Sequence, residues 1–240
     1  MHYNKMLRIG IIGCGRIADQ HAIEIQNIPG CEITCVCDRE ILLAQQFSER
    51  YRVKRFFINS DEMLKSADLD VIHITTPPQS HYALGKSCID AGYHVFIEKP
   101  LAVNSNEVNS LLDMAISRNV KLTVGHNAQF SHAAMKLRKL VKAGFLGGKP
   151  VHLESNWCYS FTDPGYAKAI LGDKNHWIRS LPGKYLHDII SHGICRLAEY
   201  LDGDNPTVLV NGHVSPLLRS IGEHDIIDEL RVIINDNKNT

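Results

Sequence analysis

Two stretches of this chain combine residue types and spacing suited to chemistry. The first is "IGIIGCGRIAD", which holds a G-x-G-x-x-A pattern at Gly13, Gly15 and Ala18. It follows an apolar β-rich run, opens a helical stretch, and is followed by Asp38 at the end of the next strand candidate. That context reads as a dinucleotide-binding turn. The first glycine permits the tight turn, the second lets a pyrophosphate approach the backbone, and Ala18 lets helix pack closely on strand. The amides of Arg16 and Ile17, at the helix N-terminus, offer N–H groups and a partial positive charge to the phosphates. Asp38 is expected to accept from the adenosine ribose hydroxyls and to repel a 2′-phosphate. NAD is therefore favoured, with NADP the alternative that the neighbouring Arg39 admits. The second stretch is "HVFIEKP", where a buried-strand pattern stops on Glu98, Lys99 and Pro100. A lysine held beside a nicotinamide can hydrogen-bond a substrate hydroxyl and stabilise developing oxyanion charge. From the residues alone, a surface charge pair capping a strand is an equal reading. Further on, Asp188 and His192 are four apart and share one face of a predicted helix. Taken alone, such a pair is more often a plain helix-surface pair.

The elements that must position these residues follow a regular rhythm. Strand candidates at 7–12, 32–38, 54–57, 70–77, 93–98 and 121–125 alternate with helical stretches. Asn104 with Glu107 resembles a capping box ahead of an apolar face of Val108, Leu111, Leu112, Ala115 and Ile116. Strands apolar on both faces and joined by helices predict an α/β fold, a doubly wound parallel sheet over residues 1–125. In such a sheet ligands sit beyond the carboxyl ends of the strands, where the "ITTPPQSH" turn with Thr76 and Pro77 and the Lys99 turn both fall. A cis Lys99–Pro100 bond is expected to be compatible with that turn.

After residue 125 the pattern changes. A helix is predicted at 131–143, a long strand at 150–160, an irregular excursion at 162–184, a helix near 186–201, strands near 207–214 and 226–235, and a polar tail. This predicts a second, α+β unit over 126–240 with an open sheet. Leu186, Ile189, Ile190, Ile194 and Leu197 are expected to pack the 186–201 helix.

Composition narrows the classes. Lys plus Arg equals Asp plus Glu at 26 each, for a formal net charge of zero, and no charge run stands out. Neither nucleic acid nor a membrane surface is implied. No apolar run approaches a membrane span and the start lacks a signal-peptide plan. Seven cysteines without a C-x-x-C pair favour free thiols in a reducing cytoplasm, with Cys35 and Cys37 as small core residues on one strand face. Thirteen histidines are dispersed without metal-site spacing, so no metal is expected.

The stretch "TPPQSHYALGKSCIDAGYHVFIEKP" resembles the glucose–fructose oxidoreductase / inositol dehydrogenase (Gfo/Idh/MocA) family, through Thr76, Pro77, His81, Ala91, Gly92, Val95, Glu98, Lys99 and Pro100. The glycine turn belongs to the same resemblance. It implies that Thr76, Pro77, His81, Glu98 and Lys99 join the cofactor site. "LPGKYLHDIISHGICRLAEYL" resembles the family's D-x-x-x-H helix. The implied roles are His192 as general acid/base and Asp188 as substrate ligand or histidine partner, with Lys99 completing the set. "VGHNAQF" resembles the segment leading out of the cofactor domain, placing Asn127 at cofactor or substrate. Gln129 stands where many members carry arginine, which argues against a strongly anionic substrate. His126 and His132 read equally as packed, exposed or functional. Trp177 and Arg179 read either as lining the substrate side or as anchoring the excursion. The implied protein is an NAD(P)-dependent oxidoreductase acting on a sugar, polyol or inositol-like hydroxyl. A cofactor-binding sensor or partner subunit without turnover, or an inactive fragment, is the alternative. Family members run longer, and only three strand candidates follow residue 149. A truncation, a compact variant, or a sheet completed by a homo-oligomeric partner would each account for that.

Overall fold

A computed structural model describes residues 6–158, 171–203 and 205–236. The chain divides into two compact units, Met1–Gly125 and His126–Thr240.

The first unit is built on six parallel strands: β1 (Leu7–Ile12), β2 (Cys31–Cys37), β3 (Arg55–Phe57), β4 (Val71–Ile74), β5 (His94–Ile97) and β6 (Leu122–Val124). Their order is β3-β2-β1-β4-β5-β6. The connecting helices are α1 (Arg16–Gln26), α2 (Ile41–Tyr51), α3 (Ser60–Ser66), α4 (His81–Asp90) and α5 (Ser105–Ser117). The order reverses between β1 and β4, so the turns after these two strands stand side by side at the carboxyl edge, the place where doubly wound sheets bind ligands.

Two apolar layers cover the sheet, one on each face. On one side Ile9, Ile11 and Val36 meet Ala18, Ala22 and Ile25 of α1 and Phe47 of α2. On the other, Ile12, Ile72, Ile74, Val95 and Ile97 meet Met63, Cys88, Ile89 and Leu111 from α3, α4 and α5. The strands are apolar on both faces because both faces are buried, which is why they read as continuous apolar runs. A register shift opposite Ile9 and Gly10 moves the β1 partners from Ile33 to Cys35. Cys35 and Cys37 consequently lie together in the second layer, as the expected core pair. All seven cysteines are free. Burial pushes the thiols of Cys14, Cys37 and Cys88 up to about 12 and that of Cys35 to about 11, while Cys158 is exposed.

The Asn104 cap forms as read. Its side chain accepts from the Glu107 N–H at 3.0 Å, while Glu107 reaches back to the Val103 N–H at 3.2 Å, one residue before the cap itself. The short helix α3 was not foreseen, although Asn59 caps it by accepting from Asp61 N–H and Glu62 N–H.

The second unit holds α6 (His132–Lys142), α7 (Lys184–Ala198), α8 (Pro216–Ser220) and an antiparallel pair, β7 (Thr207–His213) and β8 (Glu229–Asn235). Two 3₁₀ turns accompany them, Asn127–Phe130 and Trp177–Ser180. The strand expected at 150–160 is a correction, because its described part, 150–158, is not strand. Its last two residues, the 162–170 part of the excursion and residues 237–240 of the polar tail lie outside the described residues. The packing of α7 also differs from expectation. Its buried residues are Tyr185, Asp188 and Cys195, whereas Leu186, Ile189, Ile190 and Ile194 line a groove of about 650 Å³ with Leu230 and Val232 of β8.

Ile72 is fully buried between β1 and β5. Ile72→Ala is expected to cost the first unit roughly 2–5 kcal/mol, read as a lower urea midpoint with unchanged slope.

Candidate functional site

The carboxyl edge of the first unit is held together by contacts between its turns. Gly13 lies at φ +99°, and a Cβ there would sit 2.8 Å from both the Thr75 carbonyl carbon and Thr76 Cγ2. Glycine is required at this position both by backbone conformation and by the closeness of the next turn. Thr75, buried, donates from Oγ1 to the Gly13 carbonyl at 2.6 Å. Asp38 closes the other side. Its Oδ2 accepts from the Cys14 N–H at 2.8 Å and its Oδ1 from the Glu40 N–H at 2.9 Å.

These observations decide whether the edge suits a dinucleotide. A Cβ added at Gly15 would meet nothing within 4 Å, so the space above the second glycine is open. Gly15 caps α1 in extended conformation with no side-chain hydrogen bond, which leaves the first-turn amides of Arg16 and Ile17 without a side-chain cap. An open approach above uncapped helix amides suits an anionic pyrophosphate. Asp38 keeps further lone pairs on its two oxygens for ribose hydroxyls. The Arg39 side chain is 91% exposed and lies 3.9 Å from Glu40. The residues fit the group.

Thr76 and Pro77 occupy the turn after β4, His81 opens α4, and Glu98 and Lys99 occupy the turn after β5. The expected cofactor contact of His81 needs correction. The residue is fully buried, its Nδ1 lies 2.8 Å from the Pro100 carbonyl and its Nε2 2.8 Å from the Thr76 carbonyl. Its ring therefore sits between the two turns, a neutral ring donating to one carbonyl at a time, and turns neither nitrogen to a ligand. Burial pulls its pKa below the usual value, with the two carbonyls and Glu98 acting in the opposite sense. The Thr76 hydroxyl accepts from Ser80 Oγ at 2.7 Å. The Lys99–Pro100 bond is cis. Glu98 turns inward: its Oε2 accepts the Lys99 N–H at 3.1 Å and its Oε1 lies 2.9 Å from His21 Nε2.

Sequence reasoning missed His21 and His73, whose Nδ1 atoms are 2.9 Å apart. His73 stacks on Phe96 with ring centroids at 4.8 Å and planes 7° apart. Burial, and then the neighbouring His21, push the His73 pKa down to about 3. The only sequence signal was a polar histidine inside the apolar run of β4.

In the second unit, Tyr185, Asp188, His192 and Cys195 follow one another along α7 at helical spacing and form one stripe. Asp188 is buried and His192 partly buried. The His192 ring stacks on Trp157, centroids 5.5 Å apart and planes at 22°, a contact the sequence did not suggest. Gln129 donates from Nε2 to the Cys195 carbonyl at 2.9 Å and so ties the Asn127–Phe130 turn to α7. Asn127 is exposed and Trp177 partly buried beside His176. Arg179 is committed to Glu223 through two hydrogen bonds of 2.7 and 3.3 Å, with both side chains largely buried, which fits the anchoring reading. His132 is exposed at the start of α6.

Comparison with known proteins places this geometry. Residues 7–126 match the model of the family described as "Oxidoreductase family, NAD-binding Rossmann fold". The chain is 26% identical over 196 residues to Oxidoreductase P35 of Formosa agariphila, covering 80% of this chain and 59% of that protein. It is 28% identical over 141 residues to the myo-inositol 2-dehydrogenase of Thermotoga maritima, covering 59% of this chain and 42% of that protein. The solved structure of a UDP-N-acetylglucosamine 3-dehydrogenase from Acidithiobacillus ferrooxidans superposes with a TM-score of 0.77 at 25% identity, covering 98% of this chain and 64% of the other. The chain thus spans less than two thirds of each of these relatives.

The depressed His73 pKa has a consequence for stability. A histidine that stays neutral in the native state but protonates when unfolded contributes fully above pH ~6.5 and progressively less as pH falls toward its native value of about 3. His81 acts in the same direction. The first unit is expected to lose ~2 kcal/mol between pH 7 and pH 5, measured by urea unfolding, and His73→Asn to flatten that dependence.

Proposed function

The chain belongs to the Gfo/Idh/MocA oxidoreductase family, and we propose that it transfers a hydride between a nicotinamide cofactor and a hydroxyl-bearing carbon of a sugar, polyol or inositol-like substrate. The observation that carries this reading is the seat at Gly13. That turn is lodged against Thr75 and Thr76, fastened to Asp38, and has open space above Gly15. The names of the relatives, an inositol dehydrogenase and a sugar-nucleotide dehydrogenase among them, support the substrate class.

When bound, a nicotinamide supplies the acceptor or donor of the hydride. The chain's own residues do the rest. Gly13, Gly15 and the amides of Arg16 and Ile17 hold the pyrophosphate. Asp38, already oriented by two backbone N–H donors, takes the ribose hydroxyls and disfavours a 2′-phosphate, which supports NAD over NADP. Thr76 and Pro77 border the same edge. Lys99 donates to the substrate oxygen and stabilises charge as it develops there. His192 takes the hydroxyl proton as the carbinol C–H bond breaks, and returns it in the reverse direction. Asp188, buried on the same stripe of α7, orients His192 or accepts from a neighbouring substrate hydroxyl. Stacking on Trp157 limits the tilt of the His192 ring. Asn127 and Trp177 are assigned to the substrate side.

Titration with NADH and NADPH by fluorescence, followed by turnover assays over inositols, aldoses and sugar acids, tests the reading. Lys99→Ala and His192→Ala are each expected to lower turnover by roughly 10²–10⁴. Near-normal rates in both variants would remove them from the chemistry, and binding without turnover across the panel would mark a cofactor sensor instead. Asp38→Asn is expected to shift the NADH-to-NADPH affinity ratio about tenfold toward NADPH, because it removes the repelling charge while keeping an acceptor oxygen.

A further inference from the structure

A chain of three side chains runs beneath the Lys99 turn. Glu98 from the end of β5 meets His21 of α1, and His21 meets His73 of β4, each contact at 2.9 Å. The His21 and Glu98 side chains are only 10% and 13% exposed. Phe96 closes the set from the side, in edge contact with His21 at 5.2 Å and stacked on His73. Gly125, just past β6, closes it from the other side, since an added Cβ there would fall 2.6 Å from Glu98 Oε1. The carboxylate fills the room that a side chain at that position would need.

Proton accounting constrains the chain. An ionised carboxylate only accepts, so His21 Nε2 carries a hydrogen. The facing Nδ1 atoms of His21 and His73 then share one hydrogen, one ring donating and the other accepting. Deep burial keeps His73 neutral, with one N–H to give. The remaining carboxylate oxygen receives the Lys99 backbone N–H. Every link therefore has one donor and one acceptor.

We propose that His21 is a positioning residue for Lys99: it holds Glu98 down, and Glu98 in turn fixes the backbone direction from which the Lys99 ammonium leaves the turn. The proposal rests on the reading of Lys99 as the group that contacts the substrate oxygen. Its physical basis is competition. Glu98 directly precedes Lys99, and a carboxylate without a buried donor would swing toward the adjacent ammonium and draw it away from substrate. His21 satisfies one carboxylate oxygen from below and opposes that swing.

Two substitutions in the full chain separate the links. His21→Asn places an amide near the former Nδ1, within reach of His73 and short of Glu98. His21→Gln reaches the former Nε2 position and retains a donor to Glu98. The first readout needs neither cofactor nor turnover: the rate at which an amine-specific reagent labels Lys99, measured by mass spectrometry against the other lysines. His21→Asn is expected to change that rate about threefold or more and His21→Gln to leave it close to wild type. In turnover at saturating cofactor, the asparagine variant is expected to be slower by about 10–100-fold, the scale of outer-shell orienting groups, and the glutamine variant to recover to within about threefold. The NADH dissociation constant should stay within about twofold in both. Equal Lys99 labelling in the two variants overturns the proposal. Absence of turnover in the wild-type protein would instead overturn the catalytic assignment of Lys99, while the labelling contrast would still decide the positioning role. Should His21→Asn fail to fold, Glu98→Gln leaves a single oxygen for two donors, and unchanged Lys99 labelling there overturns the proposal equally.

Discussion

The constraint on which the first unit's chemistry depends is the mutual locking of four turns at one edge of the sheet. Gly13 has no side chain because the Thr75–Thr76 backbone occupies that space. Asp38 grips the glycine turn from β2, Thr75 grips it from β4, and His81 binds the β4 turn to the β5 turn. Each bond is modest by itself, since a hydrogen bond adds on the order of 1 kcal/mol net. Their effect is geometric. The glycine turn, the Asp38 carboxylate and the turn that carries Lys99 are all set by the same few contacts, so none can drift without moving another. A preorganised edge of this kind lowers the ordering cost of binding a long, flexible dinucleotide.

Much of this was legible in the sequence because the signals are local. The glycine turn, Asp38 and the alternation of apolar runs with helical periods lie within short windows. The Asn104 cap with Glu107 is another local signal that the structure bears out. The role of His81 was not legible, since its partners at Thr76 and Pro100 become neighbours only when β4 and β5 pair. The Glu98–His21 contact joins residues 77 positions apart and leaves no mark in either segment. Short helices were overlooked even where a cap was present, as with Asn59 ahead of α3 and Ser215 ahead of α8.

The second unit shows the opposite limit. Residues 150–158 have the alternation of a strand, but a strand exists only with a partner, and none pairs with this segment among the described residues. The apolar positions on α7 were read as its packing face, yet the buried stripe runs through Tyr185, Asp188 and Cys195. Hydrophobic periodicity located the helix and misjudged its orientation, because the inward stripe includes the polar Asp188. Gln129 illustrates the same point at a smaller scale: its amide serves the Cys195 carbonyl, a partner that no motif announces.

The cysteine distribution carries a practical consequence. Four thiols are buried and held protonated well above neutral pH, so they stay inert toward alkylating reagents while the fold is intact. Cys158 alone among the seven is exposed, and it directly follows the indole that stacks on His192. The native chain thus carries its own attachment point for a maleimide fluorophore, one residue from the ring pair in the second unit, where ligand-dependent changes in emission could be followed without engineering a new thiol.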